Sequence, residues 1–321
     1  LQNAALESVT LSPEIVRIGD SAFYHCTALK SVTFAAGLTE IGENAFAECC
    51  ALTALSLPNT LTHIADHAFS ACSALTELQI PDSVTALGSR AFFGCTALTK
   101  AELGNGITEI APSAFASCSA LTVLRLGNAV TRIGENAFSG TAITTVALPI
   151  TVMRVESGAF RNCTSLTTVN LSPATQSIGT YSFNGCDLLK NIDLSLATLN
   201  SIGASAFRYC LSLKNVTLSN TIKTIGSSAF SYCSNLQTIN IPTGVTELSS
   251  SIFSDCPKLE EVAMHNQITA IGSYAFSGCE LLSRCTLPES ITTIGDYAFQ
   301  VCVSLPITSL PTSLETLGSY V

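Results

Sequence analysis

The sequence predicts a repeat solenoid made of parallel β-sheets and short turns, with little helix. Three observations carry that prediction. A phenylalanine returns at a nearly constant interval. An aliphatic residue, most often followed by glycine, returns five residues before it. A stretch of alternating apolar and polar residues, often closed by Pro or Gly, returns after it.

The phenylalanine beat comes first. Thirteen of the 15 Phe residues, from Phe23, Phe46 and Phe69 to Phe276 and Phe299, follow one another in a single slot. Ten of the twelve intervals are 23 residues, one is 22 (Phe138 to Phe160) and one is 24 (Phe183 to Phe207). A fixed period in this range marks a stacked-coil architecture, and a buried ring adds a large apolar area in every coil. The string "IGENAF" at residues 41–46 recurs at 133–138, 92 residues on and four periods away, so it is a coincidence of coils and not a duplicated active site.

The other slots follow from the same frame. The aliphatic five residues before Phe (Ile18, Ile41, Ile64, Leu87, Ile110) is a core position. The next slot is Gly in ten of fourteen copies, with Ala65, Ala111, Glu156 and Ser249 in the rest. Because non-glycine residues are accepted, the slot calls for close approach and not for a positive φ. After Phe, apolar residues at Leu29, Val32 and Phe34, or at Leu75, Leu78 and Ile80, alternate with polar ones as in a half-buried strand. Pro58, Pro81, Gly104, Gly127 and Pro288 close that strand into a turn. A second short extended piece is expected around "LTEI" and "ITEI", and "ENAFAEC" reads as one tight helical turn. A single coil cannot bury its apolar side, so stacked coils must share one continuous core.

The stretch "LPNTLTHIADHAFSACSALTELQIP" (57–81) resembles the 23-residue BspA-type leucine-rich repeat, whose pattern is a Pro-terminated strand and then LxxIGxxAFxxCxxLxxVxLP. The resemblance covers essentially the whole chain. It implies a leucine-rich repeat right-handed arc, one domain over residues 1–321 of about 14 coils. Coils about 4.8 Å apart would make that arc roughly 65 Å long. No polar capping coil is visible at either end, so the chain reads as a segment of a longer array. The resemblance also implies a non-catalytic protein, exported to the cell surface or secreted. It implies adhesion to a protein or glycan ligand on a host or neighbouring cell. The alternative is an intracellular or extracellular structural scaffold that self-associates through solenoid ends or lateral faces.

Composition narrows the classes further. The chain is 47% hydrophobic and 12% charged, with a formal net charge of −9. That balance argues against nucleic acid and against anionic membrane surfaces, both of which call for clustered Lys and Arg. No apolar run approaches the roughly 20 residues of a spanning helix. No phosphate loop, nucleophile elbow or zinc motif is present, so neither a catalytic residue nor a metal ligand nor a cofactor is assigned. His63, Asp66 and His67 superficially resemble a cluster, but they occupy variable slots of one coil and read as solvated side chains.

Twelve of the 14 Cys residues lie three after the repeat Phe, from Cys26 to Cys302, with Cys50 and Cys285 extra. The line of thiols reads as a ladder of small buried hydrophobes. Bridges between neighbouring coils are the alternative, since adjacent coils bring Cα atoms within range. At Phe138 the following "SGTAI" lacks the Cys, as though that residue were deleted. After Phe183 the turn "LSLATLNSIG" carries one extra residue, and the last strand at 305–311 is irregular.

Two sets of side chains are candidates for binding. The first is the outward face of the main strands: Gln79, Lys100, Glu102, Arg125, Asn170, Asn191, Asp193, Asn215 and Asn240. This face is small and polar, and it lacks the Trp, Tyr and Arg cluster that anchors tight protein interfaces, so weak multivalent contact suits it. The second is an aromatic stripe, Tyr274, Tyr297 and Tyr320, two residues before the Phe slot on consecutive coils. Tyr209 and Tyr232 sit two residues after it.

Overall fold

The computed structural model describes residues 3–306 and 309–321. Two of the residues in the irregular strand expected at 305–311, Ile307 and Thr308, lie outside the described residues. The chain forms two compact units, Leu1–Val152 and Met153–Val321. Each is a β-solenoid of parallel turns, and the described residues form about 13 turns in all and no helix.

Each turn has three sides. The first is a short main strand, the second a two-residue strand, and the third a chain of tight turns centred on Phe. In the first unit the main strands Glu77–Ile80, Lys100–Leu103 and Val123–Arg125 pair in parallel, with Gln79 opposite Glu102 and Glu102 opposite Arg125. The second side is built from pieces such as Glu40–Ile41, His63–Ile64 and Ala86–Leu87, again parallel, so the short extended piece expected from the sequence is present. In the second unit the main strands Asn191–Asp193, Asn215–Thr217, Thr238–Asn240 and Glu261–Ala263 form one sheet. The second sides, such as Ser177–Ile178 and Ser201–Ile202, form another sheet. Alternation places Leu78 and Ile80 inward and Gln79 outward, as the period of two requires.

The third side corrects the sequence reading. "ENAFAEC" is not a helical turn. Ala45, Ala47 and Cys49 donate to carbonyls three residues back, but Asn44, Phe46 and Glu48 donate instead to Asp66, Ala68 and Ser70 of the next turn, at 3.0, 2.8 and 2.8 Å. The alternation is possible because two residues per turn, one two before Phe and one two after it, take the left-handed conformation. Asn44 (φ 53°) and Glu48 (φ 62°) do so in one turn, Tyr297 (φ 57°) and Val301 (φ 63°) in another. A helix would spend its amides internally; here every second amide is free to bind the neighbouring turn.

The interior is two ladders. Phe rings stack in each unit, with centroids 5.0 Å apart for Phe23–Phe46 and 5.6 Å for Phe115–Phe138. Phe160–Phe183 and Phe276–Phe299 stack at 5.4 and 5.2 Å in the second unit. Beside the rings, ladder thiols donate to the carbonyl of the Phe one turn earlier, as Cys49 to Phe23 at 3.2 Å, Cys118 to Phe92 at 3.1 Å and Cys256 to Phe230 at 3.1 Å. None of the fourteen cysteines is in a disulfide. Burial pushes the Cys49 and Cys256 thiols up to about 12, which keeps the S–H donor in place. The glycine slot is a close approach, as expected. A methyl group on Gly88 would fall 2.3 Å from the backbone of Ala65, and Gly88 has no positive φ.

The irregular turns resolve differently from the sequence reading at one point. The Cys after Phe138 is not deleted. Thr141 stands three residues after Phe138, in the Cys slot, 2% exposed, and its hydroxyl donates to the Phe138 carbonyl at 2.9 Å. The missing residue lies between Thr141 and Ile143, where other turns have two residues and this one has only Ala142. The extra residue after Phe183 does exist as a bulge at 194–199, with Leu196 78% exposed and Asp193 accepting from the Ser195 amide at 2.9 Å. A further interruption was not foreseen. Residues 53–57 form no strand, so the sheet holding Ser31–Thr33 is separate from the one that begins at Glu77–Ile80.

Candidate functional site

Each expected strand-face residue lies on the outward side of a main strand. In the first unit Gln79 and Arg125 are exposed, and Lys100 and Glu102 are half-buried between them. Parallel register brings the charges together: Lys100 Nζ is 3.1 Å and Arg125 Nε 3.5 Å from the same Glu102 Oε1. Both cations are therefore spent on one carboxylate. Such exposed pairs contribute little to stability, but they leave the face without an unpaired positive charge.

In the second unit Asn170, Asn191, Asp193, Asn215 and Asn240 are all exposed. Asn215 Nδ2 donates to Asn191 Oδ1 at 2.7 Å, across strands paired in register. The bond with Ser195, first through its side chain and then its amide, holds the Asp193 carboxyl below its ordinary value. Asp193 thus serves the bulge beside it.

The aromatic stripe forms as a stack. Tyr274 and Tyr297 lie 4.8 Å apart with planes 9° from parallel, and Tyr297 and Tyr320 lie 5.0 Å apart at 11°. All three occupy left-handed slots, with φ of 59°, 57° and 55°. A bulky side chain there costs roughly 1–2 kcal/mol, and each stacked pair returns about 0.5–1.5 kcal/mol. Tyr274 and Tyr320 are exposed at the two ends of the stack, and Tyr297 is half-buried between them.

A second aromatic group in the same unit was visible only as two spacings. Tyr209 and Tyr232 stack at 4.6 Å, and the Arg208 guanidinium lies over both rings at 4.7 and 5.3 Å. The negative charge of Asp255 raises the Tyr232 hydroxyl above its ordinary value. The signal available in sequence was the Arg one residue after Phe207, next to Tyr209, but a repeat frame does not predict cation–π geometry.

In the first unit His25 Nδ1 lies 2.7 Å from Glu48 Oε2, and Tyr24 donates to Glu48 Oε1 at 3.1 Å. Those bonds, the one to His25 foremost, hold the Glu48 carboxyl below its ordinary value. His63 and His67 are half-buried and Asp66 is exposed. Asp66 accepts the Ser89 amide of the next turn at 2.7 Å, a structural task. Among the described residues no three His, Cys, Asp or Glu side chains gather around a common point suited to a metal ion.

The first unit also holds a depression of about 440 Å³ where main strands turn toward the second side, lined in part by Asn59, Gln79, Asp82, Ser83 and Glu102. A second depression of about 240 Å³, over residues 55–57, shares Asn59, Gln79 and Pro81 with it. Of these residues the sequence pointed to Gln79 and Glu102 only.

Parallel 23-residue turns, stacked Phe rings and the Cys ladder together define a leucine-rich-repeat β-solenoid. The model of six tandem copies of the BspA-type leucine-rich repeat region matches residues 1–122, 108–213 and 200–321, and the chain belongs to that family. It is similar to a leucine-rich repeat protein from Bacteroides ovatus, at 26% identity and a TM-score of 0.87, covering 97% of this chain and 83% of that one. It is also similar to a leucine-rich cell surface protein from Faecalibacterium prausnitzii, at 27% identity and a TM-score of 0.51, covering 90% of this chain and 78% of that one. No curated protein matches the chain. Among the described residues, no helix is long and apolar enough to cross a membrane.

Proposed function

We propose that the chain is a non-catalytic binding and adhesion surface of a cell-surface or secreted protein. It engages a protein or glycan on another cell through many weak contacts. The likeness to the F. prausnitzii cell surface protein supports the location. The observation that carries the binding role is the stack of Tyr274, Tyr297 and Tyr320. The fold does not need tyrosine there: the same slot holds Ser21, Asn44, Ser113 and Gly158 in other turns. Three large side chains in a strained slot, aligned at the spacing of the turns, present a repeated edge to a partner, and repetition turns weak contacts into avidity.

The test uses beads coated with the whole chain and a panel of extracellular-matrix proteins and cultured mammalian cells. The unaltered chain should retain at least one of them. The triple variant Tyr274→Ser, Tyr297→Ser, Tyr320→Ser should keep its circular dichroism spectrum and lose about tenfold or more in retention, near 1.4 kcal/mol. Equal retention by the variant removes the stripe from the binding site, and no retention by the unaltered chain removes the adhesion role.

A further inference from the structure

We infer that the groove of the first unit, from Asn59 across Gln79 to Asp82 and Glu102, is a binding site for a neutral oligosaccharide. The inference deepens the binding-surface reading and rests on it, but it uses a different part of the molecule from the tyrosine stack.

Hydrogen-bonding capacity is the starting point. Among the described residues the Asn59 and Gln79 side-chain amides have no hydrogen-bond partner, and both residues are exposed at the groove. Glu102 commits Oε1 to Lys100 and Arg125 and leaves Oε2 without a protein partner. Asp82 commits Oδ1 to the Asn105 amide at 2.7 Å and to its side chain at 3.2 Å, leaving Oδ2 likewise. Ser83 adds the most telling atom. In its slot elsewhere in this unit, Thr60 donates to the Ala36 and Leu38 carbonyls at 2.7 and 2.8 Å, and Thr151 to Asn128 and Val130 at 2.9 and 2.6 Å. Ser83 Oγ is buried and makes no such bond. An orphaned buried hydroxyl is costly unless something satisfies it.

Shape and charge select the ligand. The lining of both depressions contains no Lys, Arg or His, so the Asp82 carboxylate repels an anion, while Lys100 and Arg125 offset the charge of Glu102. Carboxylate and amide oxygens seek donors, and the amide nitrogens seek acceptors. A sugar hydroxyl is both at once. Pro81, half-buried at the groove, supplies an apolar patch for the C–H face of a ring, while Ile80 and Leu103 beside it are buried. The volume of about 440 Å³ falls within the usual range for small-ligand sites. The neighbouring depression shares Asn59, Gln79 and Pro81 and lies over residues 55–57, where the main strand is lost. The groove therefore continues past one ring and suits a chain of linked sugars. It has no aromatic platform, so the affinity expected is weak, a Kd on the order of 1 mM.

The experiment is saturation-transfer NMR and calorimetry on the whole chain with cellotriose, maltotriose and mannotriose. Trigalacturonic acid and a blocked tripeptide are the comparison ligands. At least one neutral trisaccharide should bind, and the acid should not. The variant Asn59→Ala, Gln79→Ala removes two amides with no role inside the fold, and it should weaken binding about tenfold or more. Ser83→Ala should weaken it by a smaller factor while leaving thermal stability unchanged or higher. The tyrosine triple variant should bind the sugar normally. Absence of binding by all three trisaccharides at concentrations about tenfold above that Kd overturns the inference. So does tripeptide binding in their place, or a double variant that binds as well as the parent. Sugar binding without retention of any cell or matrix protein would remove the adhesion reading and leave this site standing.

Discussion

The two units are built on the same kind of interior and differ outside it. Both stack Phe rings about every 5 Å and run a thiol ladder alongside. Yet the left-handed slots of the first unit hold residues such as Ser21, Asn44, His67 and Arg90 and no tyrosine, whereas those of the second include Tyr181, Tyr209, Tyr232, Tyr274, Tyr297 and Tyr320 beside Ser205, Ser228, Ser251 and Val301. Each unit carries a polar depression where a main strand is lost, lined by Asp82 and Glu102 in the first and by Arg284 in the second. The difference teaches that the repeat constrains what faces the core and what lies against the next turn. The outward positions are free to specialise, even at backbone conformations that a tyrosine adopts only at a cost.

The largest expected effect separates the units by pH. Burial raises the thiols of Cys49, Cys72 and Cys95 in the first unit, with the Cys118 hydrogen bond as the leading cause at Cys95. In the second unit it raises Cys186, Cys210, Cys233, Cys256, Cys279, Cys285 and Cys302. A thiol whose pKa is higher folded than unfolded gives its full contribution below the ordinary value of 9.0 and loses it as pH rises toward about 12. Each such thiol withdraws about 1 kcal/mol per pH unit in that window. The second unit, with more of them, should unfold first as pH rises under reducing conditions. Hydrogen exchange or limited proteolysis along an alkaline series would show the order. Cys233→Ala should flatten the pH dependence of that unit; an unchanged slope would mean the ladder does not control alkaline unfolding.

The next effect should be alike on both sides. Phe92→Ala and Phe207→Ala each remove a fully buried ring stacked on both neighbours. Each should cost about 3–5 kcal/mol, read from urea unfolding of the whole chain. A loss below about 1 kcal/mol in either unit would show that its turns collapse around the gap, and that the interiors are not equivalent.

Those ladders were legible because one residue type fills one slot at one spacing. The left-handed rows were not. Ser, Asn, His, Arg, Ala, Val and Tyr all occupy them, so no glycine signature marks the positive φ. The helical reading of "ENAFAEC" failed for a related reason. Phe and Cys three residues apart suit a helix, and tight turns joined by a left-handed residue give the same spacing with the intervening amides turned outward. Thr141 was misread because a hydroxyl that bonds a Phe carbonyl can hold the thiol's place, while the sequence pattern records only the loss of Cys. On the strand face, alternation placed Gln79 and Glu102 outward correctly. The groove they border also depends on the loss of a strand at 53–57, where the sequence still alternates, and on Asn59, Asp82 and Ser83 from the turns between sides.

The smallest effect bears directly on the price of the left-handed rows. Val301 sits at φ 63° and is 52% exposed, a β-branched residue in the least suitable conformation, with no ring partner. Val301→Gly relieves about 1–2 kcal/mol of backbone strain, and the greater freedom of glycine in the unfolded chain takes back about 0.5–1 kcal/mol. A net gain of up to about 1.5 kcal/mol is expected by that difference, seen as a higher melting temperature. Tyr297→Gly relieves the same strain but breaks two stacked pairs, each worth about 0.5–1.5 kcal/mol, so it should be neutral or destabilising. Opposite signs for these two substitutions in adjacent rows would show that the tyrosine stack supports itself. A clear gain from Tyr297→Gly would instead mean that the stack is carried at a cost to stability, which strengthens the case that it is kept for contact with a partner.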